Sequence, residues 1–329
     1  MGLFSRNRPE GGGGTVLRLF YASDIHGTEV LWRKFLNAPR YYKAQVLVMG
    51  GDVTGKVAIP LAEDPPGTFT CTLFGRTERA ATVAELDAIE RRIRGNGMYP
   101  VRTTEAEVAR VAALDEDARE RWFAGLMLAS FAGWLRDADE RLAGSDVRCF
   151  VMPGNDDPPG LDALIEAAGA VEACDERLVT FDGYTMLSLG YSNRTPWASP
   201  RELDEDELYR RVEALAAGVP DMARCIFNIH VPPYGSRLDV AAQLDDDFNM
   251  VLVGKEPNMI PVGSTGVREA IERFQPLLAL HGHVHESPGA TRIGRTLCIN
   301  PGSSYHTGRI DGAIVNLRGE TAQHQFVHG

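Results

Sequence analysis

Five apolar runs of strand length, spread across most of the chain, break directly into His, Asp or Asn. They are LRLFYASDIH (17–26), VLVMGGD (46–52), CFVMPGND (149–156), CIFNIH (225–230) and LLALHGHVH (277–285). Short apolar runs that end in polar and glycine-rich turns read as buried β-strands, and strands that deliver polar groups from their carboxyl ends are a feature of α/β folds. One Asp or His at a strand end is ordinarily a turn former or a satisfied polar group. Here the pattern recurs and offers Asp24, His26, Asp52, Asn155, His230, His283 and His285. That mixture suits a dinuclear metal site. Two divalent ions roughly 3.5–4 Å apart need a shared anionic ligand, with neutral imidazoles and an amide oxygen to complete each shell. Two carboxylates against two dications leave net positive charge for an anionic substrate.

In the order DxH, GD, GN, H, GHxH, the chain resembles the calcineurin-like metallophosphoesterase superfamily from Asp24 to His285. INPGSS (299–304) resembles the segment that follows GHxH in its small phosphodiesterase-like branch. The resemblance implies a four-layer α-β-β-α sandwich of two mixed sheets with metals at one edge. It implies Asp24, His26, Asp52 and His285 on one ion and Asp52, Asn155, His230 and His283 on the other, with Asp52 bridging. The implied activity is hydrolysis of a phosphate ester, a diester above all, by a hydroxide that the metal pair activates, with Asp52 and His230 among the catalytic residues. Mn²⁺ suits this set of oxygens and imidazoles, and Fe or Zn²⁺ are compatible. Two other readings stay open: a nuclease acting on DNA or RNA, and a non-catalytic metal-binding scaffold of the same fold.

One motif departs from the family pattern. Catalytic members commonly read GNH, whose His serves the leaving group; here the run is Gly154, Asn155, Asp156, Asp157. Asp156 can act as the acid only if its pKa is raised, which burial and Asp157 favour and two metals oppose. A missing proton donor favours diesters or activated leaving groups. His281, Tyr234 and His306 are other donors within reach of the motifs. His281 reads as a supporting residue behind the ligands, and His306 as an exposed loop residue. Asn155, Tyr234 and Arg237 are the candidate substrate-binding residues, the last two from the loop HVPPYGSRLDVAAQ (230–243), where two prolines stiffen the exit from His230.

From Asp52 to Gly154 the distance is too long for an ordinary connection. The chain therefore reads as one domain over 15–329 with an insertion at about 56–142. VAIPL and TFTCTLF around EDPPG predict a hairpin. Thr82 opens a capping box into a helix over 83–94, Thr103 or Thr104 opens another to about 113, and a long helix covers 116–142. In the last, Trp122, Phe123, Leu126, Met127, Phe131, Trp134 and Leu135 form a stripe that reads as packing before it reads as a ligand platform. Substrate choice is expected to lie in this insertion, because loops on a rigid scaffold commonly set specificity.

A chain of 329 residues with net charge −11 can bury a large core and is ill suited to nonspecific adhesion to nucleic acid or anionic membrane. The expected partner is a phosphate-ester small molecule or a nucleotide. Cys71, Cys149, Cys174, Cys225 and Cys298 lack CxxC spacing and read as reduced core residues of a cytosolic protein. Residues 1–14 read as a flexible leader, and His324 and His328 as part of a polar tail. Residues 263–266 before a helix over 267–274 offer either free N–H groups for an anion or a simple Ser or Thr cap.

Overall fold

The computed structural model describes residues 16–329; the expected leader over 1–14 lies outside them. Two six-stranded sheets stack face to face. The first has the order Thr321–His328, Asp311–Arg318, Leu17–Ala22, Val46–Met49, Arg148–Val151, Glu172–Ala173, and the second Gly289–Ile293, Thr296–Asn300, Leu278–Leu280, Cys225–Ile229, Tyr184–Leu189, Arg177–Phe181. Both are mixed. Leu17–Ala22, Val46–Met49 and Arg148–Val151 run parallel as neighbours, and Cys225–Ile229 runs parallel beside Leu278–Leu280. The five motif-bearing strands are therefore adjacent within their sheets and end at the same edge.

Their apolar character on both faces has a direct cause. In the first sheet Leu19, Tyr21, Val46, Val48, Phe150 and Met152 face Met186, Ile226, Leu278, Leu280 and Ile299 of the second sheet. The alternate residues Phe20, Ala22, Leu47, Met49, Cys149 and Val151 pack outward against helices Glu29–Tyr42 and Glu116–Leu142. On the far side of the second sheet, Phe227, Ile229 and Ala279 pack against helices Glu205–Ala216 and Thr265–Phe274. A strand buried on both faces cannot alternate polar and apolar residues, which is why these read as continuous runs. The layers are α-β-β-α.

The segment after Lys56 forms a four-stranded sheet of its own, ordered Arg76–Ala80, Phe69–Leu73, Val57–Glu63, Met98–Thr103. The expected hairpin is present, with Ala62 opposite Thr70. Helix Val83–Gly95 carries the full Thr82/Glu85 capping box and covers the sheet through Leu86, Ile89 and Ile93 against Leu61, Cys71 and Leu73. Helix Glu105–Ala112 is capped by Thr104. The aromatic stripe of the long helix divides: Phe131, Trp134 and Leu135 are buried, and Trp134 stacks on Trp32 at 5.9 Å while its carbonyl accepts a 2.9 Å bond from the Trp32 indole. Nearer the start of the helix, Phe123 meets Tyr99 edge to face.

The C-terminal stretch corrects an expectation. It is the edge strand Thr321–His328, paired along its length with Asp311–Arg318, because its polar residues alternate with the partly buried Ala322 and Phe326. All five cysteines are free and buried. No helix among the described residues is long and apolar enough to cross a membrane.

Candidate metal centre

The parallel ladder of the first sheet continues past its strand ends. Gly50 N donates to Ala22 O, Asp24 N to Gly51 O and His26 N to Asp52 O, at 2.9–3.0 Å, so the first two motif loops are fastened to each other. The third is fastened to the second by buried Asp157. Its carboxylate accepts from Val53 N at 3.1 Å, Thr54 N at 2.8 Å, Thr54 Oγ1 at 2.6 Å and Gly154 N at 2.8 Å. There is no room here for larger residues: a Cβ on Gly154 would stand 2.1 Å from Asp52 Oδ1, and one on Gly282 2.3 Å from Asp24 Oδ2. Asp24, His26, Asp52 and His283 have φ of 56°, 38°, 51° and 65°. Non-glycine residues enter the left-handed region at a cost of roughly 1–2 kcal/mol each, and such strain gathers at functional sites.

The seven motif residues converge. His26 Nε2 lies 3.0 Å from His285 Nε2, which is 3.3 Å from Asp24 Oδ1. Asn155 Oδ1 lies 2.7 Å from His283 Nδ1 and 3.0 Å from His230 Nε2. Asp52 faces both halves, with Oδ2 at 3.8 Å from His26 Nε2 and Oδ1 at 3.5 Å from His230 Nε2. Asp24 Oδ1 also reaches across, 3.9 Å from His230 Nε2.

Supporting bonds fix these rings. His230 Nδ1 lies 2.8 Å from Gly50 O; a carbonyl only accepts, so Nδ1 carries the proton and Nε2 is turned into the cluster. His281, whose supporting role was expected, directs Nδ1 at the carbonyls of Ile229 and Val231, 2.9 and 3.1 Å away, and so grips the backbone on both sides of His230. Burial takes it down to about 4, which keeps it neutral. Asn300 donates to Val284 O at 2.9 Å and Leu238 O at 3.1 Å, and Ser303 Oγ to Asp24 O at 2.7 Å; these two residues of the INPGSS segment brace the first and last loops.

The electrostatics suit a cation. Burial, then the charge of His230, takes His283 down to about 3, and burial with His285 holds His26 well below the ordinary imidazole range. Both present a lone pair. Burial disfavours the Asp24 carboxylate, but the bond from His285 and the charge of His230 prevail and hold its pKa down. Burial and Asp156 push Asp52 up, while His230, against its own burial, is raised by Asp52. Imidazole protons thus occupy positions where a divalent ion would neutralise the carboxylates. His26 Nδ1 is buried without a partner. Three sets of donors each lie within 4.8 Å and could hold a metal ion: Asp24, His26 and His285; Asp24, Asp52 and His230; His26, Asp52 and Asp156.

Asp156 departs from its expected role. It ion-pairs with Lys56, and its Oδ1 accepts from Ser199 Oγ at 2.6 Å and Asn155 Nδ2 at 2.9 Å. Although burial works against the carboxylate, Lys56 and Ser199 take it down to about 2, the reverse of what a general acid needs. Tyr234 and Arg237 are exposed and make no side-chain hydrogen bond to the cluster. Their loop is organised instead around buried Asp239, which accepts from Gly235 N, Ser236 N and Arg237 N at 2.7–3.1 Å. His306 is exposed and touches Tyr305. Tyr305 itself, which the motifs do not single out, lies 4.7 Å from the His26 ring and 5.8 Å from His285. The turn before helix Thr265–Phe274 is a simple cap, with Ser264 accepting from Val267 N and Glu205 taking Gly266 N.

No family model matches the chain. An uncharacterized protein of Methanocaldococcus jannaschii is 29% identical over 152 residues, which is 46% of this chain and 62% of that protein, so the match spans about three fifths of the relative's length. One solved crystal structure superposes with a TM-score of 0.58 at 15% identity, covering 94% of this chain and 99% of its own; at that identity the likeness is one of fold. A protein of Thermus thermophilus matches with TM-score 0.49, 15% identity and coverage of 94% and 99%. A dimetal phosphatase from Danio rerio matches with TM-score 0.44, 10% identity and coverage of 94% and 98%. The order of the five motifs and the stacked pair of mixed sheets that carries them are together consistent with the calcineurin-like metallophosphoesterase superfamily.

Proposed function

We propose that this protein is a metal-dependent phosphoesterase that acts on phosphodiesters. The observation that carries the reading is the convergence of seven donors from five strand ends: Asp52 turns one oxygen toward His26 and the other toward His230, within 3.8 Å and 3.5 Å. Asp24, His26, Asp52 and His285 would hold one cation and Asp52, Asn155, His230 and His283 the other. Bound there, a pair of divalent cations supplies Lewis acidity toward a phosphoryl oxygen and acidifies water. Mn²⁺ fits this donor set, with Fe or Zn²⁺ as alternatives.

The chain's own residues set the rest. Strand-end backbone bonds and Asp157 hold the ligands before any substrate arrives, so little reorganisation is needed. His281 and Gly50 fix the orientation of His230. Asp156 stays ionised beside Lys56 and gives no proton to a leaving group, which favours esters whose leaving group departs unaided, aryl over alkyl; the likeness of INPGSS to the small phosphodiesterase-like branch is what favours diesters. A nucleotide or another small phosphate ester is the proposed substrate class.

The test is hydrolysis of an aryl phosphodiester by Mn²⁺-loaded protein, compared with Asp52→Asn and His230→Ala. Loss of at least about a hundredfold in rate is expected in each, with the circular-dichroism spectrum preserved. Full activity in both variants would sink the proposal. The scaffold reading draws on the same ionised Asp156, and two bound ions without turnover across mono- and diesters would favour it.

A further inference from the structure

The insertion begins with a lysine placed against the ligand cluster. Lys56 pairs with Asp156 Oδ2, and Asp156 is tied to two of the proposed ligands: its backbone N–H donates to Asp52 Oδ1 at 3.0 Å, and its Oδ1 accepts from Asn155 Nδ2. The route from Asp52 to Lys56 is fixed at every intervening residue. Val53 N and Thr54 N donate to Asp157, and Gly55 N donates to Tyr99 Oη at 2.6 Å. Lys56 is therefore delivered to one place by a backbone that shares its anchors with the ligand Asp52.

Its exposure is as informative as its anchorage. The Lys56 side chain is 51% exposed and that of Asp156 18%, against 1% for Asp24 and His26. The Lys56–Asp156 pair thus stands where the buried cluster meets solvent. A half-exposed ion pair adds little stability, so a purely structural reason for this lysine is weak. A fixed ammonium is, however, a common partner for a phosphate oxygen.

We infer that Lys56 contacts the substrate, its ammonium donating to a non-bridging phosphoryl oxygen, and that Asp156 is the residue that positions it. This rests on the phosphoesterase reading above. The insertion would then act on the phosphoryl group itself, in the region where the sequence lacks the customary imidazole.

The rival account is that Lys56 merely neutralises Asp156, and a double variant separates the two. Inorganic phosphate is titrated calorimetrically into Mn²⁺-loaded wild type, K56M and K56M/D156N, with the metal content of each measured by elemental analysis. Contact predicts that both variants keep their metal and bind phosphate at least about tenfold more weakly than wild type. Wild-type affinity in K56M, or its recovery in K56M/D156N, overturns the assignment while leaving the phosphoesterase reading intact. Failure of wild type to take up Mn²⁺, Zn²⁺ or Fe²⁺ overturns that reading and this inference with it.

Discussion

The Nδ1 of His230 and the carbonyl oxygen of Gly50 lie 2.8 Å apart, and this one bond decides which nitrogen of His230 faces the cluster. Any proton on Nε2 has to leave when a cation arrives. Burial lowers the basicity of this imidazole, yet the charges of Asp52 and Asp24 override it and raise its pKa, and burial with Asp156 raises that of Asp52. Both shifts favour the protonated, metal-free form. Metal uptake is therefore expected to release protons, and affinity to rise with pH by about tenfold per unit for each proton displaced. Calorimetric Mn²⁺ titrations at pH 6, 7 and 8 check this; a flat profile would contradict it.

Gly154→Ala introduces a methyl group 2.1 Å from Asp52 Oδ1 and 2.4 Å from Asp52 N. The backbone atom cannot step aside as a flexible side chain could, so the second and third motif loops must separate. A loss of roughly 1–3 kcal/mol in urea unfolding is expected, together with loss of bound metal, because the displaced residue is a proposed ligand to both ions. Unchanged metal content by elemental analysis would show that the loops tolerate the shift.

Asp157→Ala strips its partners from Val53 N, Thr54 N, Thr54 Oγ1 and Gly154 N at once. Buried donors left without acceptors cost about 1–3 kcal/mol apiece unless water replaces the partner. We expect the folded state to lose at least about 3 kcal/mol, a larger effect than that of Asp156→Ala, whose carboxylate is less buried. Comparable midpoints for the two variants in urea would refute the ranking.

A second buried pair, outside the proposed ligand set, gives a pH dependence of its own. Asp175 pairs with Arg201 and accepts from Gly190 N at 2.7 Å. Burial pushes Asp175 up to about 6 although Arg201 pulls it down. Its folded pKa therefore exceeds the unfolded value of about 3.9, and the folded chain binds the proton more tightly. Stability from this residue is greatest at low pH and is lost as pH rises through that window. Relative to Asp175→Asn, wild type should lose roughly 2–3 kcal/mol between pH 4 and pH 7, measured by urea unfolding at each pH.

The proposed ligand set was legible because each member is announced locally, by an apolar run that breaks into a glycine turn or, at His230, into two prolines. The residues that brace it were not. Asp157 and Asp239 look like ordinary loop acids until the backbone N–H groups that converge on them are placed, and Tyr305 gains its meaning only when the second sheet brings it beside His26 and His285. Asp156 was open to either protonation state because its decisive partner, Lys56, precedes it by a hundred positions. Between residues 56 and 142, Arg76–Ala80 and Met98–Thr103 were not legible as strands. RTERA is almost wholly polar, as an edge strand can be, and MYPVRT carries a proline inside a short run. The C-terminal strand hid in the same way, behind a polar outer face.

Gly97 follows helix Val83–Gly95 and lies against the first two motif loops: a Cβ there would fall 2.1 Å from His26 O, and one on Gly55 would fall 2.1 Å from Gly97 O. The region from Lys56 onward is consequently no detachable cassette. Excising it would take the floor from beneath His26 along with a charge beside Asp156, and transplanting it into a relative would require the recipient to carry the same bare backbone at Gly27 and Gly55. Its sequence and that of the motif loops are free to diverge only in step.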